Sequence, residues 1–310
     1  MKVLLIYFSG TGNTERITEL YKNEFAKLGY QTDEVKLPAD NRAVNCINPD
    51  EYDFIGFGYP IHAFNAPKTV LNACKALQNR RKALGRKTPR KKVFVYKTSG
   101  EPVRMSDVSS LKMRGILKRR GYALTNEYQY VMPYNIIFRH TDAQVYKMWQ
   151  TAQALTPVHV NEIVNGTPSL PKKMFMGGFL AWILRAEHWG AHIVGKTYKA
   201  NKTCVHCGKC VKLCPVNNIR VNKRGKIKFG GKCIMCMRCA MFCPKNSIEL
   251  GILKSWKVNG EYSFAPPTDA PQASKHDKYC LKAYNRYYAR AEKTITEFYG
   301  ETPPPQDPAE

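Results

Sequence analysis

Along the N-terminal half, hydrophobic positions switch repeatedly between strand and helix spacings. Strand-like runs occur at 2–8, 30–36, Phe54–Gly58, Val93–Tyr96 and 128–132. Between the first two lies a helical pattern with Ile17, Leu20, Tyr21, Phe25 and Leu28 on one face, closed by Gly29. Further helical stretches are predicted near 67–77, 105–120 and 142–165. Runs that are apolar throughout, such as Val3–Phe8, suit strands covered on both faces, as in a parallel sheet. Residues 1–165 therefore read as a doubly wound α/β domain.

A connector follows at 166–200. Its core, Met174–Leu184, is eleven residues long, too short to span a bilayer, and Lys172, Lys173 and Arg185 flank it. The favoured reading packs this segment against a neighbouring domain, with peripheral membrane docking as the second reading. Residues 201–250 form a cysteine-rich module. A C-terminal extension, 251–310, has a loop at Pro266-Pro267, a helix around 276–299 and a frayed end at 302–305.

Charge narrows the range of partners. The chain has 310 residues, with 49 Lys or Arg against 24 Asp or Glu, a formal charge of +25. Such a field favours acidic proteins, nucleic acid or an anionic surface. Residues 78–92 hold eight Lys or Arg and no acid, but no nucleic-acid-binding module accompanies them. A solvated loop or a docking face for an acidic protein is the expectation there. Met1 leads straight into a strand-like run without a charged leader, so a cytoplasmic protein is expected. Oligomeric state is not readable.

Eleven cysteines would be many for a reduced compartment, but eight stand in two tight groups. These are Cys204-x2-Cys207-x2-Cys210-x3-Cys214-Pro215 and Cys233-x2-Cys236-x2-Cys239-x3-Cys243-Pro244. Cys46, Cys74 and Cys280 are left over as ordinary thiols. Two complete copies closed by Cys-Pro argue against structural zinc. Between them, Ile219–Phe229 reads as a hairpin turning at Lys223-Arg224-Gly225. The module resembles bacterial two-cluster ferredoxins, which are small α+β domains. That resemblance implies two [4Fe–4S] clusters with an exchanged fourth ligand. One cluster takes Cys204, Cys207, Cys210 and Cys243; the other takes Cys233, Cys236, Cys239 and Cys214. Unlike commonly acidic ferredoxins, residues 201–250 hold eleven Lys or Arg and one acid, Glu249. An acidic redox partner follows as an expectation.

After the first strand comes Ser9-Gly10-Thr11-Gly12-Asn13-Thr14, opening a helix. Its backbone N–H groups, hydroxyls and positive helix end suit a phosphate, while the Walker lysine and GxGxxG pattern are absent. Later loops carry Tyr59-Pro60-Ile61-His62-Ala63-Phe64 and Ser99-Gly100-Glu101. Together these loops resemble the flavodoxins over residues 1 to about 135. The resemblance implies FMN, its phosphate in the first loop and its ring between the other two. Tyr59, His62 and Phe64 are the expected ring contacts, and Ser99–Glu101 the contacts of its polar edge. Trp149, Trp182, Trp189 and Trp256 all lie outside that region, and flavodoxin-like acidity is missing.

The order of parts resembles flavodoxin–ferredoxin fusion proteins of anaerobes. It implies an electron carrier relaying between FMN and two clusters, with a flavin-dependent reductase of a small acceptor as the alternative. No catalytic triad or paired acid–base carboxylates are found, so no catalytic residue is named.

Overall fold

The computed structural model describes residues 1–37, 42–172, 174–268 and 278–300. Lys173, the predicted start of the last helix at 276–277, and the 302–305 tail lie outside them. The strands of the first domain are β1 (Lys2–Tyr7), β2 (Gln31–Lys36), β3 (Phe54–Pro60), β4 (Lys91–Ser99) and β5 (Tyr122–Val131). They form one sheet in the order β2-β1-β3-β4-β5, and every pair is parallel. This is the flavodoxin-like strand order, with its switch point between β1 and β3.

The helices are α1 (Asn13–Lys27), α2 (Arg42–Asn45), α3 (Lys68–Ala76), α4 (Arg80–Ala83), α5 (Leu111–Arg120) and α6 (Asp142–Val164). Strand alternation divides the core between the two sheet faces. Val3, Leu5, Tyr7, Phe94, Tyr96 and Tyr130 face α1 and α6, whereas Leu4, Ile6, Ile55, Phe57, Val93 and Val95 face α3 and α5. Leu28 departs from its predicted place in the α1 stripe. It is the C-cap residue, and it is 49% exposed because the helix has already ended.

The connector folds into α7 (Gly177–Leu184) and α8 (Glu187–Lys196). The cysteine module follows as β6 (Lys199–Ala200), α9 (Lys209–Leu213), β7 (Ile219–Val221), β8 (Ile227–Phe229), α10 (Arg238–Met241) and β9 (Ile248–Glu249). β7 and β8 pair antiparallel as the expected hairpin. The extension does not trail away. Its helix α11 (Leu281–Tyr299) packs on α6, and Ile137 N–H donates to the Trp256 carbonyl at 2.8 Å.

β5 begins six residues before the predicted 128, because its first half buries polar residues that the apolar pattern missed. Glu127 accepts from Lys97 Nζ at 2.5 Å and from Ser110 Oγ at 2.6 Å, and Arg114 Nη2 lies 2.5 Å away. Lys97 Nζ also donates to the Ser106 carbonyl at 2.8 Å. Burial pushes the Glu127 carboxyl up, but Lys97 and Arg114 outweigh it and hold it below the usual range. Its stabilising contribution is therefore present at neutral pH and lost as pH falls through that depressed value. Lys97→Met leaves Glu127 without its closest counter-charge and should cost about 3–5 kcal/mol, read from the urea midpoint. Lys97→Met combined with Glu127→Leu should recover part of that loss.

Candidate functional site

The carboxyl ends of β1, β3 and β4 open into a cavity of about 430 Å³, within the usual range for ligand sites. Ser9, Gly10, Thr11, Asn13 and Thr14 line it at one end. Gly12 shapes that end from outside, turning the chain at φ 101 to start α1. The loop is braced internally. Gly12 N–H donates to Ser9 Oγ at 3.2 Å, Asn13 Nδ2 donates to the Pro133 carbonyl at 2.8 Å, and the Thr14 and Thr98 hydroxyls pair at 2.9 Å. Arg16, one turn along, lies over the Phe264 ring at 4.2 Å and brings a cation beside the loop.

Pro60, Ile61, His62, Ala63 and Phe64 form a second wall. His62 and Asn65 exchange backbone hydrogen bonds at 3.0 and 2.8 Å, with Ala63 and Phe64 at φ 39 and 58. A tight turn with two non-glycine residues in the left-handed region stores strain, and here it aims side chains at the cavity. Burial, then the neighbouring His188, lowers His62 to about 4, so its ring is neutral at pH 7. Tyr59 does not join this wall. It continues the Ile55, Phe57 alternation into the core, fully buried, with its hydroxyl 3.3 Å from Ser109 Oγ.

Ser99, Gly100 and Glu101 form the third wall. Ser99 Oγ donates to the Glu101 carbonyl at 2.7 Å, and Gln129 Nε2 donates to Ser99 Oγ at 2.7 Å. The extension latches this loop: Tyr279 donates to Glu101 Oε2 at 3.1 Å, and Tyr284 donates to the Gly100 carbonyl.

Several lining residues come from segments that the loop motifs do not mark. Tyr134 follows β5, Glu187 opens α8, Met235 and Met237 belong to the second cysteine loop, and Trp256 comes from the extension. The Tyr134 hydroxyl is buried without a hydrogen-bond partner among the described residues, an orphaned donor on the cavity wall. No signal short of the tertiary fold could have gathered these residues.

The phosphate-type loop and the second cysteine loop touch directly. A Cβ on Gly10 would stand 2.6 Å from the Cys236 carbonyl oxygen and 3.0 Å from its Cβ, so only glycine permits this approach.

Within the module, Cys204, Cys207, Cys210 and Cys243 line one small cavity. Cys233 and Cys236 both feel the charge of Cys214, and Cys239 feels Cys236, Cys233 and Cys214 ahead of Cys210. The structure thus brings the fourth cysteine of each copy to the first three of the other. Both loops share one backbone design, with left-handed residues at His206, Gly208 and Asn217 and again at Met235, Met237 and Asn246. Such turns point successive N–H groups inward. Asn218 N–H donates to Cys214 Sγ at 3.2 Å, and Ser247 N–H to Cys243 Sγ at 3.2 Å. Burial pushes the Cys236 thiol up to about 12 and raises Cys233, Cys239 and Cys210. Bound iron would compensate that cost of burying thiolates. Among the described residues, no three His, Cys, Asp or Glu side chains are grouped to hold a single metal ion.

Burial raises Glu187 to about 7. An acid raised in the folded state costs nothing below its ordinary value near 4.5, and the cost grows as pH rises to 7. Glu187→Gln should therefore leave melting at pH 4.5 unchanged. At pH 8 it should stabilise the chain by about 1–2 kcal/mol, the side chain keeping some solvent contact.

Residues 196–244 match the family described as a 4Fe-4S dicluster domain. A comparison with curated protein sequences finds no match. Among solved structures, a flavodoxin from Streptococcus pneumonia TIGR4 is 14% identical, covering 49% of this chain and 96% of its own, at a TM-score of 0.32. The Megasphaera elsdenii flavodoxin is 19% identical, covering 51% of this chain and 98% of its own, at 0.33. An FMN-dependent NADH-azoreductase from Bacillus anthracis is 12% identical, covering 52% and 98%, at 0.36. The fold of the first domain rests on its own strand order. The chain joins a sheet of flavodoxin-like strand order to a segment that matches the 4Fe-4S dicluster domain, and that match supports an electron-transfer or redox role.

Proposed function

We propose that the chain is a cytoplasmic electron carrier. In this reading the N-terminal cavity holds FMN, the two cysteine quartets hold [4Fe–4S] clusters, and an acidic protein exchanges electrons at the outer quartet. FMN supplies exchange of one or two electrons when bound, and each cluster exchanges one. The observation that carries the reading is the contact of Gly10 with Cys236, together with Met235 and Met237 on the cavity wall. Transfer rates fall steeply with distance, and this contact makes the second loop the near station.

The residues present fit both groups. Ser9, Thr11, Thr14 and the first N–H groups of α1 supply hydrogen bonds for a phosphate, and Arg16 a nearby cation. The orphaned Tyr134 hydroxyl offers a further donor, while Ile61, His62, Phe64 and Trp256 offer apolar surface for a planar ring. N–H bonds to Cys214 and Cys243 stabilise the thiolate form of each ligand and favour the reduced cluster.

The first quartet is the outer station. Cys207 is exposed, and a shallow groove beside Cys204 carries Lys199, Lys202, Lys226 and Lys228, with Glu249 the one acid among its described residues. That surface suits an acidic partner through steering at low salt. Exposed thiolates also require a reducing compartment, which supports the cytoplasmic setting.

A second reading, reduction of a small acceptor at the cavity, is favoured by Glu187. A carboxyl titrating at about 7 on the wall can hold or release a proton at neutral pH, which a simple carrier does not need. Turnover of such an acceptor, lost in Glu187→Gln, would select it.

Anaerobic purification followed by FMN reconstitution and analysis tests the main reading. The expected content is about eight irons, as many labile sulfides and one flavin per chain. Stoichiometric zinc without sulfide contradicts the cluster assignment, and a chain that retains no flavin contradicts the cavity assignment.

A further inference from the structure

Helices α7 and α8 reverse the usual arrangement of a surface helix. They are joined only by Arg185 and Ala186, which both keep right-handed helical dihedrals (φ −65, ψ −12 and φ −55, ψ −25). Helical spacing therefore continues through the joint, and Phe179, Trp182, Ala186, Trp189 and Ile193 recur every three or four residues on one face. That face points outward. Phe179 is 56% exposed, Trp182 62%, Trp189 79% and Ile193 68%, and Phe175, 91% exposed, extends the patch before α7.

The opposite face is made of Gly177, Ala181, Ala191 and Gly195, all buried. A Cβ on Gly177 would lie 2.7 Å from Val108, and one on Gly195 would lie 2.1 Å from the Cys233 Cβ. Small residues let the helix pair sit close on the protein, and the large apolar ones are turned to water. So large an exposed aromatic patch on a rigidly seated element needs a cover.

The cover has a charge signature. Burial, and then the positive charges of Lys112, Arg185 and Lys68, lower the proton affinity of His188 in α8. Lys112 in turn, beyond its own burial, feels Arg185 and Lys75. Arg185 sits at the joint of the pair and Lys196 ends α8, Lys112 and Lys68 lie on the side of His188, and the whole chain carries +25. A second copy would bring two strongly positive chains together at an electrostatic cost. An anionic lipid surface satisfies both features, since tryptophan rings favour the headgroup layer and nearby cations are drawn to anionic headgroups. No helix among the described residues is long and apolar enough to cross a membrane, so the pair would lie in the interface plane.

We propose that α7 and α8 dock the protein on an anionic membrane surface, with Phe179, Trp182, Trp189 and Ile193 in the interfacial layer. The helix pair then joins lipid to redox site, because Gly195 abuts Cys233 and Glu187 lines the cavity.

The test uses the full chain carrying its iron. It is sedimented at about 0.15 M salt with phosphatidylcholine vesicles, with and without phosphatidylglycerol. Binding is expected only with phosphatidylglycerol, accompanied by a blue shift of tryptophan emission. Trp182→Glu with Trp189→Glu should weaken it about tenfold or more while iron content and melting temperature stay as in the parent. Three results would overturn the proposal: no binding by the parent, binding that the double substitution leaves unchanged, or a dimer abolished by that substitution in a chain that ignores vesicles.

Discussion

The approach of Gly10 to Cys236 fixes the architecture on which everything else depends. One glycine without a side chain lets the first loop of an α/β sheet rest on the backbone of a cysteine loop more than two hundred residues later. Any larger residue would have to displace that backbone, since a Cβ would stand 2.6 Å from a carbonyl oxygen. The contact turns two ordinary modules into one site. It also explains why Met235 and Met237 face the cavity: their left-handed backbones wrap the cysteine loop, and their side chains become its wall.

Around that contact the cavity is held by interactions from every part of the chain. The buried Lys97–Glu127 pair lies behind it, with Ser106 shared between the ion-pair network and the cavity wall. The extension latches the Gly100–Glu101 loop through Tyr279 and Tyr284, and Tyr262 donates to the Tyr134 carbonyl at 2.7 Å. Glu187 enters from the connector. Preorganisation of this kind lets a site hold a planar group without reordering when it binds.

Much of this was legible because its physics is local. Strand alternation, the glycine-rich turn before α1 and the cysteine spacing each depend on neighbours a few residues away. Tyr59 shows where local reasoning stops: its loop context suggested a ring contact, but strand parity sent it into the core. β5 was foreshortened for a related reason, since Asn126 and Glu127 look like surface residues until their buried partners are known. Trp256 lies outside the first domain in sequence, yet the extension folds back and places it on the cavity. The connector packs against its neighbours as expected, but through its glycines and alanines, which leaves Phe179, Trp182 and Trp189 outside.

The central claim is that cavity and cysteine module form one electron path within a single chain. Stopped-flow reduction of the reconstituted protein, following the flavin and iron–sulfur absorbance bands separately, tests it most directly. The account predicts exchange between the two bands at a rate independent of protein concentration, and slowed in Gly10→Val, which pushes the loops apart. A rate that rises in proportion to concentration would mean that electrons cross only between molecules, and would contradict it.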